Sequence, residues 1–254
     1  MSDSKEFLTL LSIIFFLCLS IFFMNNRLES VLSESVSSSQ KPYTVVIDAG
    51  HGGFDSGKVG IDGTLEKDIN LQIANRLKRI LEAADVKVLM VRTEDVGLYD
   101  DNASNKKRQD MKTRATIMNE AEADCIVSIH QNSYPEEAID GAQVFYYTDS
   151  DQGKNLASLI QKELITCADP SNHRTEKSNS SYYLLKESFS PIVIVECGFL
   201  SNREESKKLA MKMATTLPAK AMGSKGMGLR FCAFCSLGSD AARRGSSTLT
   251  AVEP

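Results

Sequence analysis

The sequence has no surplus of positive charge: 29 Lys and Arg stand against 33 Asp and Glu, for a net charge of -4 and a pI near 5.5. That balance lacks the electrostatic footprint of a nucleic-acid-binding protein. The one basic run, Lys106, Lys107 and Arg108, is answered by Asp100, Asp101 and Asp110 and reads as a solvated loop. Cysteine supplies no metal framework either. Of six cysteines, only Cys232 and Cys235 have ligand spacing, and no second pair or neighbouring histidine completes a site. Cys18 lies in an apolar run and Cys125 and Cys197 in apolar strand contexts, so the bland reading is adventitious thiols. There is no internal repeat and no compact H-E-x-x-H.

Charge is absent altogether from residues 7–24 (FLTLLSIIFFLCLSIFFM), 18 residues at the lower end of what spans a bilayer. A secretory signal shows a basic start and a small-x-small cleavage site. Here Lys5 is balanced by Asp3 and Glu6, and Asn25-Asn26-Arg27 is no such site. Residues 1–26 are therefore expected to be an uncleaved signal-anchor in contact with the membrane, ahead of a cleaved signal. A Ser-rich spacer follows over 27–41, and the globular part is expected to be exported. The flanking charges are too balanced to set orientation.

From residue 42 onward strands and helices alternate. Residues 43–47 (YTVVI), 86–91 (VKVLMV), 125–129 (CIVSI), 143–147 and 192–195 (IVIV) read as strands. Residues 66–82 carry apolar positions spaced for one helical face, with a turn and cap offered by 62–64, and 111–121, 153–167 and 203–213 read as further helices. This order predicts a single α/β domain over 42–213: a largely parallel twisted sheet of about six strands with helices on both faces. Sites in such folds gather at the carboxyl ends of strands.

The first such end reads VVIDAGHGGFDSGKVG. Its GGFDSGKV falls one residue short of the phosphate-cradling G-x-x-x-x-G-K-[ST], because Val59 stands where a hydroxyl should hold Mg²⁺. Gly60 and Gly63 also oppose a helix starting straight after Lys58, so a nucleotide is excluded and Lys58 has no assigned role. His51 follows the first strand, His130 the third and Glu196 the last, while Glu66 opens the first helix from the same rim. Two neutral imidazoles and one carboxylate make a three-ligand site for Zn²⁺, and a further carboxylate can shuttle a proton. Singly, each has a plainer reading: a histidine capping loop backbone, or an acid in a helix's first turn. Glu196 is harder to dismiss, since IVIVEC buries its approach and a bare carboxylate there needs a partner. His173, in a polar loop, reads as solvated.

Together the blocks IDAGHGGFDSGKVG, TLEKDINLQIANRL, ADCIVSIHQNSYP and PIVIVECGFLSNREE resemble the zinc-dependent N-acetylmuramoyl-L-alanine amidases of peptidoglycan. The resemblance runs from about Tyr43 to Lys208. It implies that His51, Glu66 and His130 are zinc ligands and that Glu196 is the catalytic carboxylate. The implied reaction is hydrolysis of the amide joining the lactyl group of N-acetylmuramic acid to L-alanine, with peptidoglycan as partner. Arg114 and Asn132 lie in the matching blocks and are candidates for steadying the ligands or touching substrate, although surface charge explains Arg114 equally well. The layout of leader, spacer and bare catalytic domain resembles the germination-specific amidases of spore cortex, which implies a location at the outer face of the cytoplasmic membrane or in the cell-wall or cortex space. An activating protein partner is left open.

The pattern fails at the end. Residues 222–254 show neither helical nor strand period, and Pro218, Gly223, Gly226 and Gly228 interrupt the terminal helix, so 214–254 reads as an irregular tail, either an aberrant end or a disordered interaction segment. Loss of a terminal helix predicts lower stability rather than a lost metal site. The alternative function is a peptidoglycan-binding pseudoenzyme with the amidase fold.

Overall fold

The computed structural model describes residues 42–214. The apolar run and spacer before residue 42, the tail beyond 214, and Cys18, Cys232 and Cys235 lie outside the described residues. Among the described residues no helix is long and apolar enough to cross a membrane.

Six strands, β1 (Thr44–Ala49), β2 (Lys87–Met90), β3 (Cys125–Asn132), β4 (Gln143–Tyr147), β5 (Lys177–Asn179) and β6 (Ile192–Phe199), form one sheet in the order β2-β1-β3-β6-β4-β5. All neighbours are parallel except β4 against β6. The helices are α1 (Glu66–Glu82), α2 (Lys106–Glu120), α3 (Asp151–Glu163), α4 (Tyr183–Glu187) and α5 (Arg203–Ala214), with a π-helical turn over Leu164–Ala168. The α/β fold read from the sequence is the fold observed.

Period-two alternation divides the strands between two cores. Val45, Ile47, Val127, Ile129, Val193 and Val195 point to one face, where Ala74 and Leu81 of α1 and Leu156, Ala157 and Ile160 of α3 cover them. Val46, Ile126, Ile192 and Ile194 point to the other, under Ala115 and Met118 of α2 and Leu184 and Leu185 of α4. Each fully buried aliphatic side chain of this kind contributes about 1.5–3 kcal/mol. A smaller cluster of Ile69, Leu200 and Leu209 seats α5 against α1 and the end of β6.

Two local expectations are corrected. The run Lys106, Lys107 and Arg108 is not a loop but the first turn of α2, because the Asn105 side chain accepts from Arg108 N and starts the helix there. The turn at 62–64 does not cap α1; Leu65 is its N-cap and makes no side-chain cap bond. Loop carbonyls satisfy the first amides instead, Glu66 N donating to Lys58 O and Lys67 N to Ser56 O. Strand β5 and helix α4 had no periodic signal, being three and five residues long.

Candidate active site

The face that is apolar at the start of the strands turns polar at their carboxyl ends. Along β1 it reads Val46, Asp48 and then Gly50; along β3 Ile126, Ser128 and His130; along β6 Ile192, Ile194 and Glu196. Strand register sets His130 directly beside Glu196, and a register shift between His130 and Asn132 bends the strand just beyond. Helix α1 adds Glu66 from its buried stripe of Glu66, Asn70 and Ala74, spaced four apart. His130 and Glu196 therefore lie within their strands, not after them, and His51 lies two residues past β1 rather than four.

His51, Glu66 and His130 converge so that one donor atom from each lies within 4.8 Å of the others. Both imidazoles face one oxygen: His51 Nε2 is 3.2 Å and His130 Nδ1 is 3.1 Å from Glu66 Oε1. Donors around a tetrahedral Zn²⁺ with bonds of about 2.0–2.1 Å are separated by roughly 3.3 Å, so this donor set and its spacing fit the ion. The opposite nitrogen of His51, Nδ1, lies 3.0 Å from Asp55 Oδ2, a partner that would keep the proton on Nδ1 when Nε2 holds a metal. Glu66 is 2% exposed. Its Oε2 accepts from Lys58 N at 2.8 Å and its Oε1 from Gln131 N at 3.0 Å. The loop amide of Lys58 is thus turned to the Glu66 carboxylate, and helix α1 starts only at Glu66.

Burial opposes charge on Glu66, but the two histidines outweigh it and hold its pKa far below the ordinary value. Burial likewise opposes charge on His51, whose pKa is nevertheless raised by Glu66 and Asp55. Glu196 goes the other way. It is 9% exposed, and its Oε2 has no hydrogen-bond partner among the described residues. Burial pushes its pKa up to about 7, with His130 pulling it down and Glu66 adding to the rise.

Backbone geometry makes room for the cluster. His51 takes a left-handed φ of 63°, costly for a residue with a Cβ. A side chain at Gly50 would enter the His130 ring, and one at Gly57, itself at φ 67°, would meet Glu66 Oε2 at 2.5 Å. These glycines let the loop lie against the three converging side chains.

The site's foundation is buried and ionic. Arg114 is 1% exposed, so the surface reading of its charge is corrected. It donates to Asp48 Oδ1 at 2.5 Å, Asp110 Oδ2 at 2.6 Å, Ala49 O at 3.0 Å and His51 O at 2.6 Å. Asp48 also accepts from Ser128 Oγ at 2.7 Å. Burial raises the Asp48 pKa, but Arg114 and Ser128 turn the net shift downward. Arg92 donates to Ala49 O, Gly50 O and Lys67 O, tying the loop to α1. Sequence reasoning missed Asp55, Arg92, Asn70 and Gln131; only the i,i+4 spacing of His51 and Asp55 offered a signal. Asn132 lines the cleft, its side chain accepting from Ser133 N. His173 is exposed and is not among the residues lining the cleft. Among the described residues, Cys125, Cys167 and Cys197 form no disulfide with one another.

The cleft holds about 500 Å³ and is lined by the triad, Glu196, Lys58 and, from the α4 side, Tyr182 and Tyr183. The germination-specific N-acetylmuramoyl-L-alanine amidase of Bacillus subtilis (strain 168) is 32% identical over 185 residues, 69% of this chain and 77% of that protein. The CwlD amidase from Clostridioides difficile, solved in complex with the GerS lipoprotein, superposes with a TM-score of 0.65 at 32% identity, covering 80% of this chain and 100% of that one. An N-acetylmuramoyl-L-alanine amidase from Clostridium difficile 630 gives 0.60 at 28% identity, covering 82% and 100%. The family model for N-acetylmuramoyl-L-alanine amidase matches residues 45–223, and the chain belongs to that family.

Proposed function

We propose that this N-acetylmuramoyl-L-alanine amidase is a zinc hydrolase in which His51, Glu66 and His130 hold the ion and Glu196 moves the proton. The observation that carries the reading is the placement of a buried Glu196 carboxyl, one oxygen of which has no partner among the described residues, beside three converging donor atoms. When bound, Zn²⁺ supplies Lewis acidity, which acidifies water and polarises a carbonyl oxygen. Glu196, poised near neutrality, accepts a proton from the attacking water and returns it to the L-alanine nitrogen as the amide C–N bond breaks. The lactyl carboxylate and the L-alanine amine are the products. Asp55 keeps the His51 tautomer, and Arg114 holds the His51 backbone in its strained turn. Asn132, on the cleft wall, is assigned to substrate contact.

The proposal extends to spore-cortex peptidoglycan at germination, to an exported location with residues 1–26 as a membrane anchor and 42–213 as the catalytic unit, and to an accessory protein. The names of the relatives support the first and last of these, one being germination-specific and one solved with a lipoprotein. Purified protein incubated with spore-cortex peptidoglycan is expected to release new L-alanine amino ends. A chelator should abolish the release, Zn²⁺ should restore it, and Glu196→Gln should lower it by at least about 10²-fold, the scale of a lost general base. Equal release by Glu196→Gln would sink the assignment of roles.

A further inference from the structure

The three segments that carry His51, Glu66 and His130 come from different elements, and one buried side chain touches all of them. Asn70 is fully buried and lies one turn along α1 from Glu66, on the same face. Its Nδ2 donates at 3.1 Å to the carbonyl of Gly50, the residue before His51, and more loosely at 3.4 Å to Glu66 Oε1. Its Oδ1 accepts at 3.1 Å from Nε2 of Gln131, the residue after His130. Gln131 is buried too, and its backbone N–H donates to the same Glu66 oxygen. The direction of these bonds is fixed from one end. A backbone carbonyl can only accept, so Gly50 O must face the Asn70 nitrogen; Asn70 Oδ1 then faces Gln131 and must receive its nitrogen. Gln131 Oε1 is left over, buried and with no hydrogen-bond partner among the described residues.

We propose that Asn70 is a positioning residue that locks the three ligand-bearing segments together and sets the affinity of the metal site, with Gln131 acting through it. The inference rests on the zinc reading above. Two N–H donors, from Asn70 and Gln131, meet Glu66 Oε1, the oxygen that both imidazoles face, and so fix how the carboxylate is turned. The same Asn70 amide, together with Arg92, holds Gly50 O, so the turn that presents His51 is tied to the helix that presents Glu66. Stability alone does not account for the network. Apolar side chains would fill this contact without stranding an oxygen, as Ala74 does one turn further along the stripe. Partners that orient metal ligands in this way typically cost about 10–100-fold in metal affinity when removed.

Zinc affinity of the full chain, measured by competition with a chromophoric chelator, tests this alongside melting of the metal-free protein. Asn70→Leu is expected to raise the zinc Kd by about 10–100-fold. Gln131→Met should raise it several-fold while leaving the metal-free Tm nearly unchanged, because it removes one unpartnered oxygen and strands another, Asn70 Oδ1. A purely structural side chain would move Tm and leave Kd alone. The double variant should bind zinc no more weakly than Asn70→Leu, since the effect of Gln131 passes through Asn70. An unchanged Kd in either single variant overturns the proposal, as do losses that multiply in the double variant. If Asn70→Leu does not fold, Gln131→Met decides alone, by a weaker Kd at constant Tm or by an unchanged one. A parent chain that binds no zinc would instead overturn the metal reading on which the inference depends.

Discussion

Glu196 holds the most unusual position of any single residue at the site. A carboxyl that is 9% exposed, with one oxygen unpartnered, is costly once ionised. Its folded pKa near 7 lies above the ordinary 4.5, so the native state holds its proton longer than the unfolded chain does. Stability contributed by the protonated form is full below 4.5 and is lost as pH rises through 7, by about 3 kcal/mol at most, since one pKa unit is worth about 1.4 kcal/mol. Glu196→Gln removes the charge and keeps the shape. Metal-free Glu196→Gln is therefore expected to melt several degrees above the metal-free parent at pH 8 and alongside it at pH 5, as measured by calorimetry. Coincident melting at both pH values would mean that Glu196 is hydrated and ordinary. A general base gains from this poise, because it is basic enough to take a proton and acidic enough to return it.

At the scale of elements, the site hangs on the contact between α2 and the carboxyl ends of β1 and β3. Arg114, one turn beyond Asp110 on α2, reaches Asp48 on β1, and Asp48 in turn accepts from Ser128 on β3. Removing one partner of a buried ion pair strands the other, at a cost of about 3–5 kcal/mol. Arg114→Met should lower unfolding stability by that amount and, by releasing His51 O, weaken zinc affinity as well; Lys58→Met serves as the control with unchanged stability. Chemical denaturation with metal titration reads both. This network also shows where the sequence was legible and where it was not. β1, β3, β6 and α1 announce themselves through β-branched runs and a 3.6-residue stripe, and their ends carry His51, His130, Glu196 and Glu66. Arg114 sits on a helix with little apolar periodicity, buried by charge pairing rather than by a hydrophobic face, so spacing alone leaves it looking like surface. Strand β5 and helix α4 escape for a related reason. Their three and five residues are ordered by neighbours, β5 by pairing with β4 and α4 by burying Leu184 and Leu185, not by local pattern.

For the molecule as a whole, the triad ties together segments that are distant along the chain: the loop after β1, the start of α1 and the interior of β3. An ion held by all three binds the native state and not the unfolded one, so its affinity appears as folding stability. At a free zinc concentration one hundred times Kd, the gain is about 2.7 kcal/mol. For a domain of this size each kcal/mol moves Tm by about 2–4 °C, which predicts a rise of roughly 5–10 °C on zinc loading. The fold should survive without the ion, because Glu66 keeps five other contacts: both histidines and the amides of Lys58, Gln131 and Asn70. Chelator-treated protein is thus expected to show one cooperative transition at the lower temperature, and zinc to restore the higher one. His130→Ala removes one of the three proposed ligands and should make Tm insensitive to both treatments. A zinc-dependent shift that persists in His130→Ala would place the stabilising ion elsewhere, since two donors from adjacent segments could not reproduce a closure that spans β1 to β3.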